Sequence, residues 1–179
     1  MTCIVAVAKS GNVWMGADSA GVGGLSLRVR NDPKIYRVGE FLFGFTSSFR
    51  MGQLLGYTFV PPKQVCGPIE QYMSTDFIDV LRKTLKDGGF AKVDSSVESG
   101  GTFLVGYRGR IFKICDDFQV AEGIEPFDAC GCGEEIALGA LFTSQGKEPG
   151  ERVHLALEAA EAFSAGVRRP FICRSILNP

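Results

Sequence analysis

The stretch Thr2-Cys3-Ile4-Val5-Ala6-Val7-Ala8-Lys9 decides how the rest of this chain is read. It is a short apolar run rich in β-branched residues, closed by a lysine and by the turn formers Ser10-Gly11-Asn12. Such a run bounded by turn residues reads as a buried strand. Apolar character resumes at once in Val13-Trp14-Met15-Gly16-Ala17, so the two segments are expected to pair as a hairpin.

Working outward, Gly21-Val22-Gly23-Gly24 is read as a loosening of the chain. Residues 25–30 (LSLRVR) alternate with period two, the pattern of a strand with one wet face. Residues 34–38 and 41–48 add two strands joined at Gly39-Glu40. The period then changes. Residues 49–57 suit a short helix, the proline-rich stretch 60–68 breaks it, and 69–85 suit a longer helix interrupted near Ser74 and ended by Gly88-Gly89. Residues 91–101 read as a polar loop. Residues 102–114 form a strong hairpin signal with Arg108-Gly109 at its tip. Two short strands (118–123 and 126–131), two helices (133–144 and 149–166) and a closing strand (171–176) complete the pass.

Blocks of strands followed by blocks of helices argue α+β, with two antiparallel sheets and a helix pair on each outer side. The chain of 179 residues is expected to be a single domain over residues 1–179 with a sizeable core of its own. A net charge of −1 without a basic run disfavours nucleic acid. No apolar stretch approaches the length of a membrane span. The first residues lack the layout of a signal peptide, so the expected compartment is the cytoplasm. The six cysteines do not follow a zinc spacing and are expected to be buried, reduced thiols. The lone His154 falls in a helical stretch and is expected at the surface or in packing.

Three residues point to chemistry. A methionine before a small residue such as Thr2 is the kind that aminopeptidases remove, and the new terminus would carry both a hydroxyl nucleophile and an amine base. Asp18 closes the second strand and Lys34 opens a later one. A lysine near the amine would keep it neutral and basic, and a carboxylate beside the lysine would hold that lysine charged and fixed. Each residue alone has a bland reading: a first residue, a turn former, a solvated cation.

Taken together, TCIVAV, GADSAG (16–21) and PKIYRV (33–38) resemble the start of proteasome β-type subunits and their bacterial relative HslV, the N-terminal-nucleophile threonine peptidases. Thr2, Asp18 and Lys34 stand sixteen residues apart in each step, the spacing of the family's catalytic residues. FLFGFTSS (41–48), ACGCGEE (129–135) and EAFSAG (161–166) stand where that family has an apolar strand with a small turn, a Gly-Ser-Gly motif and a late Asp-x-x-Ser-Gly-Gly motif. The resemblance implies a four-layer αββα sandwich and a catalytic set in which Thr2 is nucleophile and its amine the base. Lys34 tunes the electrostatics, Asp18 orients Lys34, and the Ser47 N–H serves the oxyanion. Cys132 replaces the family's serine beside the nucleophile, Glu161 replaces its aspartate, and Glu161 and Ser164 are expected on one helix face.

The same resemblance implies polypeptide substrates, a homo-oligomeric ring, an ATPase unfoldase as a candidate partner, and no cofactor or metal. Two other readings stand beside it. One is an inactive structural ring member; the other is an N-terminal-nucleophile amidase acting on a small amide. A nucleophilic Cys3 would require Thr2 to be removed as well. Phe45 and Phe49 are candidates to line a substrate pocket, although aromatics at such spacings are more often core.

Overall fold

The computed structural model describes residues 1–94 and 97–177, with Val97 described only in its backbone. The opening hairpin is present: β1 (Cys3–Lys9) pairs antiparallel with β2 (Asn12–Ala17), turning through Ser10 and Gly11 at positive φ. There follow β3 (Ala20–Gly23), β4 (Ser26–Val29), β5 (Ile35–Val38), β6 (Phe41–Phe45) and helix α1 (Phe49–Tyr57), which Ser48 caps by accepting the Arg50 N–H. Helix α2 (Ile69–Tyr72) passes through a wide π-turn at Met73–Phe77 into α3 (Ile78–Asp87). That turn is the interruption expected near Ser74. Met73 and Phe77 at its ends, and Tyr72 and Ile78 flanking it, are all buried.

The second half holds β7 (Lys92–Asp94), β8 (Val97–Ser99), β9 (Phe103–Tyr107), β10 (Arg110–Ile114), β11 (Val120–Ala121) and β12 (Phe127–Gly131). Helices α4 (Glu134–Thr143) and α5 (Pro149–Phe163) and strand β13 (Ile172–Ile176) close the chain. One sheet has the order β12-β1-β2-β13 and the other β11-β10-β9-β6-β5, with every pairing antiparallel.

Alternation along the strands explains three hydrophobic clusters. Cys3, Val5 and Val7 of β1 pack toward α4 and α5, while Ile4 and Ala6 join Met15, Leu42 and Leu104 from both sheets. On β6, Phe41, Phe43 and Phe45 pack toward α1, α3 and the π-turn, where Phe77 stacks on Phe41 and Phe43. Strands buried on both faces read as continuous apolar runs, as 3–7 and 41–45 do. Gly44 is required between the sheets: a Cβ there would come within 2.4 Å of Ile4 Cγ2 and 2.6 Å of Met15 Sδ.

Several expectations are corrected. Residues 20–23 form β3 rather than a loosening of the chain, and β4 has no buried face. These two strands pair only with each other, and only the start of β3, at Ala20, is fully buried. The polar loop 91–101 contains the paired strands β7 and β8, steadied where Glu98 accepts from Arg82 of α3 at 2.9 Å; residues 95 and 96 between them lie outside the described set. Of the cysteines, Cys3 and Cys130 are buried as expected, but Cys66, Cys132 and Cys173 are exposed. No helix among the described residues is long and apolar enough to cross a membrane.

Candidate active site

Antiparallel pairing brings the sequence-distant candidates to one end of both sheets. Thr2 precedes β1, and Asp18 follows β2, so the hairpin returns the chain to the residue it started beside. Lys34 precedes β5 and Ser47 follows β6, the antiparallel neighbour of β5. Gly131 ends β12 opposite Cys3, which sets Cys132 next to Thr2. The sixteen-residue steps are therefore the lengths of chain needed to leave this end and come back.

Asp18 is the centre of the arrangement. Its Oδ1 accepts the Cys3 N–H at 3.0 Å and the Lys34 ammonium at 2.8 Å, and its Oδ2 accepts the N–H groups of Ala20 at 2.9 Å and Arg168 at 3.2 Å. Asp18 and Lys34 side chains are 0% and 1% exposed. Burial pulls the Lys34 ammonium below its ordinary pKa, while the Asp18 charge and hydrogen bond oppose that shift. The Cys3 thiol is pushed up to about 12, first by burial and then by the Asp18 carboxylate. A thiol held protonated and packed toward α4 and α5 is no nucleophile.

Thr2 is itself buried. Its N–H donates to Cys132 Sγ at 3.3 Å, the Cys132 thiol donates to the Thr2 carbonyl at 3.4 Å, and the Thr2 hydroxyl donates to the Met1 carbonyl at 2.5 Å. Gly131 has φ +100°, and a Cβ there would lie 2.2 Å from the Thr2 carbonyl oxygen. Ser164 donates its hydroxyl toward Cys132, at 3.4 Å to the carbonyl and 3.5 Å to the sulfur.

Ser47 sits at φ +58°, the left-handed region that favours glycine. It is held there by Thr102, whose N–H donates to Ser47 Oγ at 3.3 Å, and by Thr46, which donates its own N–H and hydroxyl to the Thr102 carbonyl. No acceptor among the described residues takes the Ser47 N–H, so it is free to face a ligand.

Two expectations about the late motif change. Ser164 is not on the helix face of Glu161: α5 ends at Phe163, and Ser164 is an extended capping residue. Glu161 makes no hydrogen bond to Thr2. Instead it accepts the Arg169 N–H at 2.8 Å and the Arg169 guanidinium at 2.7 Å, and these contacts lower its pKa. The backbone donors at Ala20 and Arg168, and the role of Thr102, carry no sequence signal, because a main-chain N–H is present whatever the side chain. Phe45 is core, whereas Phe49 is half-buried beside the site, with its ring 5.9 Å from Lys34 Nζ.

Against solved structures, the chain superposes on BPH of Thiobacillus denitrificans in complex with epoxomicin with a TM-score of 0.81, at 23% identity, over 99% of this chain and 100% of that one. The chain has the proteasome-type N-terminal-nucleophile fold. Eukaryotic HslV from Trypanosoma brucei matches with a TM-score of 0.69 at 14% identity, over 97% of this chain and 98% of that one. An Anbu (Gly-1) mutant from Hyphomicrobium sp. strain MC1 matches at 0.66 and 17% identity, over 97% and 80% of the two chains. No family model and no curated protein matches the sequence. The proteasome-type likeness thus rests on the shape of nearly the whole chain.

Proposed function

We propose that this protein is a threonine peptidase that cleaves peptide bonds through Thr2 once Met1 is removed. The observation that carries the reading is the buried Lys34–Asp18 pair, anchored to the Cys3 N–H immediately beside Thr2. Met1 occupies the positions the reaction needs: its carbonyl takes the Thr2 hydroxyl, and its peptide bond makes the Thr2 nitrogen an amide. Removal of Met1 frees the hydroxyl and creates the amine.

Thr2 Oγ then attacks the substrate carbonyl and the α-amine takes its proton. Lys34 keeps that amine deprotonated near neutral pH by charge repulsion. The oxyanion is received by the Ser47 N–H, a backbone donor whose loss would cost roughly 100- to 1000-fold in rate. Collapse of the tetrahedral intermediate breaks the scissile C–N bond, and the α-ammonium returns its proton to the departing amine. Water, deprotonated by the freed α-amine, then hydrolyses the acyl-enzyme ester and restores Thr2. Cys132 holds the Thr2 main chain, and Ser164 braces Cys132. The Arg169 pairing of Glu161 makes it a brace for the segment that supplies the Arg168 N–H to Asp18.

We infer further that the three hydrophobic clusters are the three interfaces of a four-layer αββα sandwich, and that the single domain assembles as a homo-oligomeric ring in the cytoplasm. Docking of an ATPase unfoldase belongs to the same reading. The test is intact mass of the purified chain with and without an epoxyketone such as epoxomicin. Loss of Met1 and a single adduct on Thr2, absent from Lys34→Ala, are expected. An unprocessed chain that takes no adduct points to the inactive structural subunit. A processed chain that hydrolyses small amides but no peptide points to the amidase.

A further inference from the structure

The proposed site opens beside an unexplained groove of about 490 Å³, lined by Gly21, Val22 and Gly23 of β3, Arg28 and Val29 of β4, and Arg30 and Phe49. The groove starts three residues after Asp18, and the Arg30 N–H donates to the Ser19 carbonyl at 2.9 Å, which ties its wall to the site. A second groove of about 520 Å³ lies at the opposite end of the five-stranded sheet, around Glu40, Pro61 and Arg108.

The lining beside the site contains two guanidinium groups and no carboxylate. Arg30 is held in one pose. Its guanidinium lies 3.7 Å over the Phe49 ring, and its stem crosses Gly21, where a Cβ would approach Arg30 Cδ to 2.5 Å. Asp32 takes Nε and Nη2, each at 2.7 Å, and leaves Nη1 without a partner among the described residues. The Arg28 side chain forms no ion pair among the described residues. A fixed guanidinium with a spare donor edge, backed by an aromatic face and flanked by a second arginine, matches a carboxylate.

We propose that this groove receives an acidic side chain of the bound peptide, so that the enzyme selects substrates with Glu or Asp near the cleaved bond. The proposal takes the ligand to be a peptide and so rests on the peptidase reading. Arg30 is the specificity residue, Asp32 and Phe49 are positioning residues, and Arg28 adds charge at the rim.

Binding is measured with Thr2→Ala, so that no turnover occurs. Three fluorescein-labelled peptides differing only in Glu, Gln or Lys at two positions are compared by anisotropy. The Glu peptide is expected to bind about ten-fold more tightly than the Gln peptide, as one charge-assisted contact allows, with the advantage shrinking as salt rises. Arg30→Gln abolishes that advantage, Arg28→Gln reduces it, and Arg30→Glu turns the preference toward the Lys peptide. Equal binding of Glu and Gln peptides, a Glu preference that survives Arg30→Gln, or no binding by any of the three overturns the proposal. The peptidase reading is scored separately by epoxyketone labelling of wild-type Thr2. Labelling without acid selectivity overturns the groove alone; acid-selective binding without labelling overturns the peptidase reading alone.

Discussion

Replacing Asp18 by asparagine changes one atom and removes one charge. In the native protein the carboxylate accepts from four donors, three of them backbone N–H groups and the fourth the Lys34 ammonium. Asparagine keeps the same shape. Its amide oxygen can still accept from Cys3 and Lys34, but its NH2 then faces the N–H groups of Ala20 and Arg168, donor against donor. Lys34, 1% exposed, is left as an uncompensated buried charge. Breaking a buried pair in this way costs about 3–5 kcal/mol, a large share of the roughly 5–15 kcal/mol that holds a domain folded. For a chain of this size that corresponds to a fall in melting temperature of roughly 6–20 °C. Thermal and urea unfolding measure it, and the pH dependence identifies the cause. With the carboxylate gone, the pKa of Lys34 falls further below its ordinary value, so over the window between that lowered value and about 10.4 the unfolded chain binds more protons than the native one. Stability of Asp18→Asn must then rise with pH across this window more steeply than that of the wild type. A variant that melts within about 2 °C of wild type, a shift of under 1 kcal/mol, with no steeper pH dependence, would refute the reasoning that Asp18 is the electrostatic centre of this end of the fold.

Three further outcomes follow from the same geometry. Lys34→Met keeps the stem and removes the cation, so the Thr2 amine is expected to titrate higher and the rising limb of kcat/KM against pH to move to higher pH; an unmoved limb would show that Lys34 does not act on the amine. Ser47→Ala keeps the left-handed backbone and loses the Thr102 contact, whereas Ser47→Gly relieves the backbone, so the glycine variant should be the more stable of the two by about 1–2 kcal/mol in urea unfolding, with Thr2 labelling retained because the N–H donor remains. Gly131→Ala places a Cβ 2.2 Å from the Thr2 carbonyl oxygen at φ +100°, so epoxyketone labelling should be lost along with thermal stability; a labelled variant with unchanged melting would contradict that close approach.

The strands that are buried on both faces were legible because their residues leave no polar side to misread: 3–7, 13–17 and 41–45 are where sequence and structure agree. The reading went astray at β3 and β4, where burial does not decide the pattern. Alternation in LSLRVR implied a covered face, yet β4 is exposed along its whole length and pairs only with β3. The β7–β8 hairpin was hidden for a related reason: its residues are polar, and Glu98 pairs with Arg82 and Lys86 of the preceding helix α3 instead of entering a core. At the site, the resemblance grouped Thr2, Asp18 and Lys34, and the structure brings them to one end because antiparallel strands return the chain there. Helical spacing misplaced Ser164 relative to Glu161, since it says which residues share a face only while the helix lasts, and α5 stops one residue short of Ser164.

The stability argument also weighs on what the site is for. A buried ion pair is a poor way to stabilise a fold, because desolvation offsets most of its attraction and well-packed apolar residues often do as well or better. Here the pair sits at one end of two sheets whose inward residues include Ile4, Ala6, Met15, Ile35 and Leu42, so apolar packing was available within the same layer. Asp18 nonetheless gathers the start of β1, the start of β3, the residue before β5 and the segment at Arg168 onto one carboxylate, and it fixes Lys34 at the end of the fold where Thr2 lies. A purely structural subunit has no need of a cation at that point. A peptidase whose base is an amine on Thr2 does, because the cation lowers the amine's pKa and the carboxylate holds the cation in place. The energetic cost of the pair therefore supports the catalytic reading over the scaffold reading.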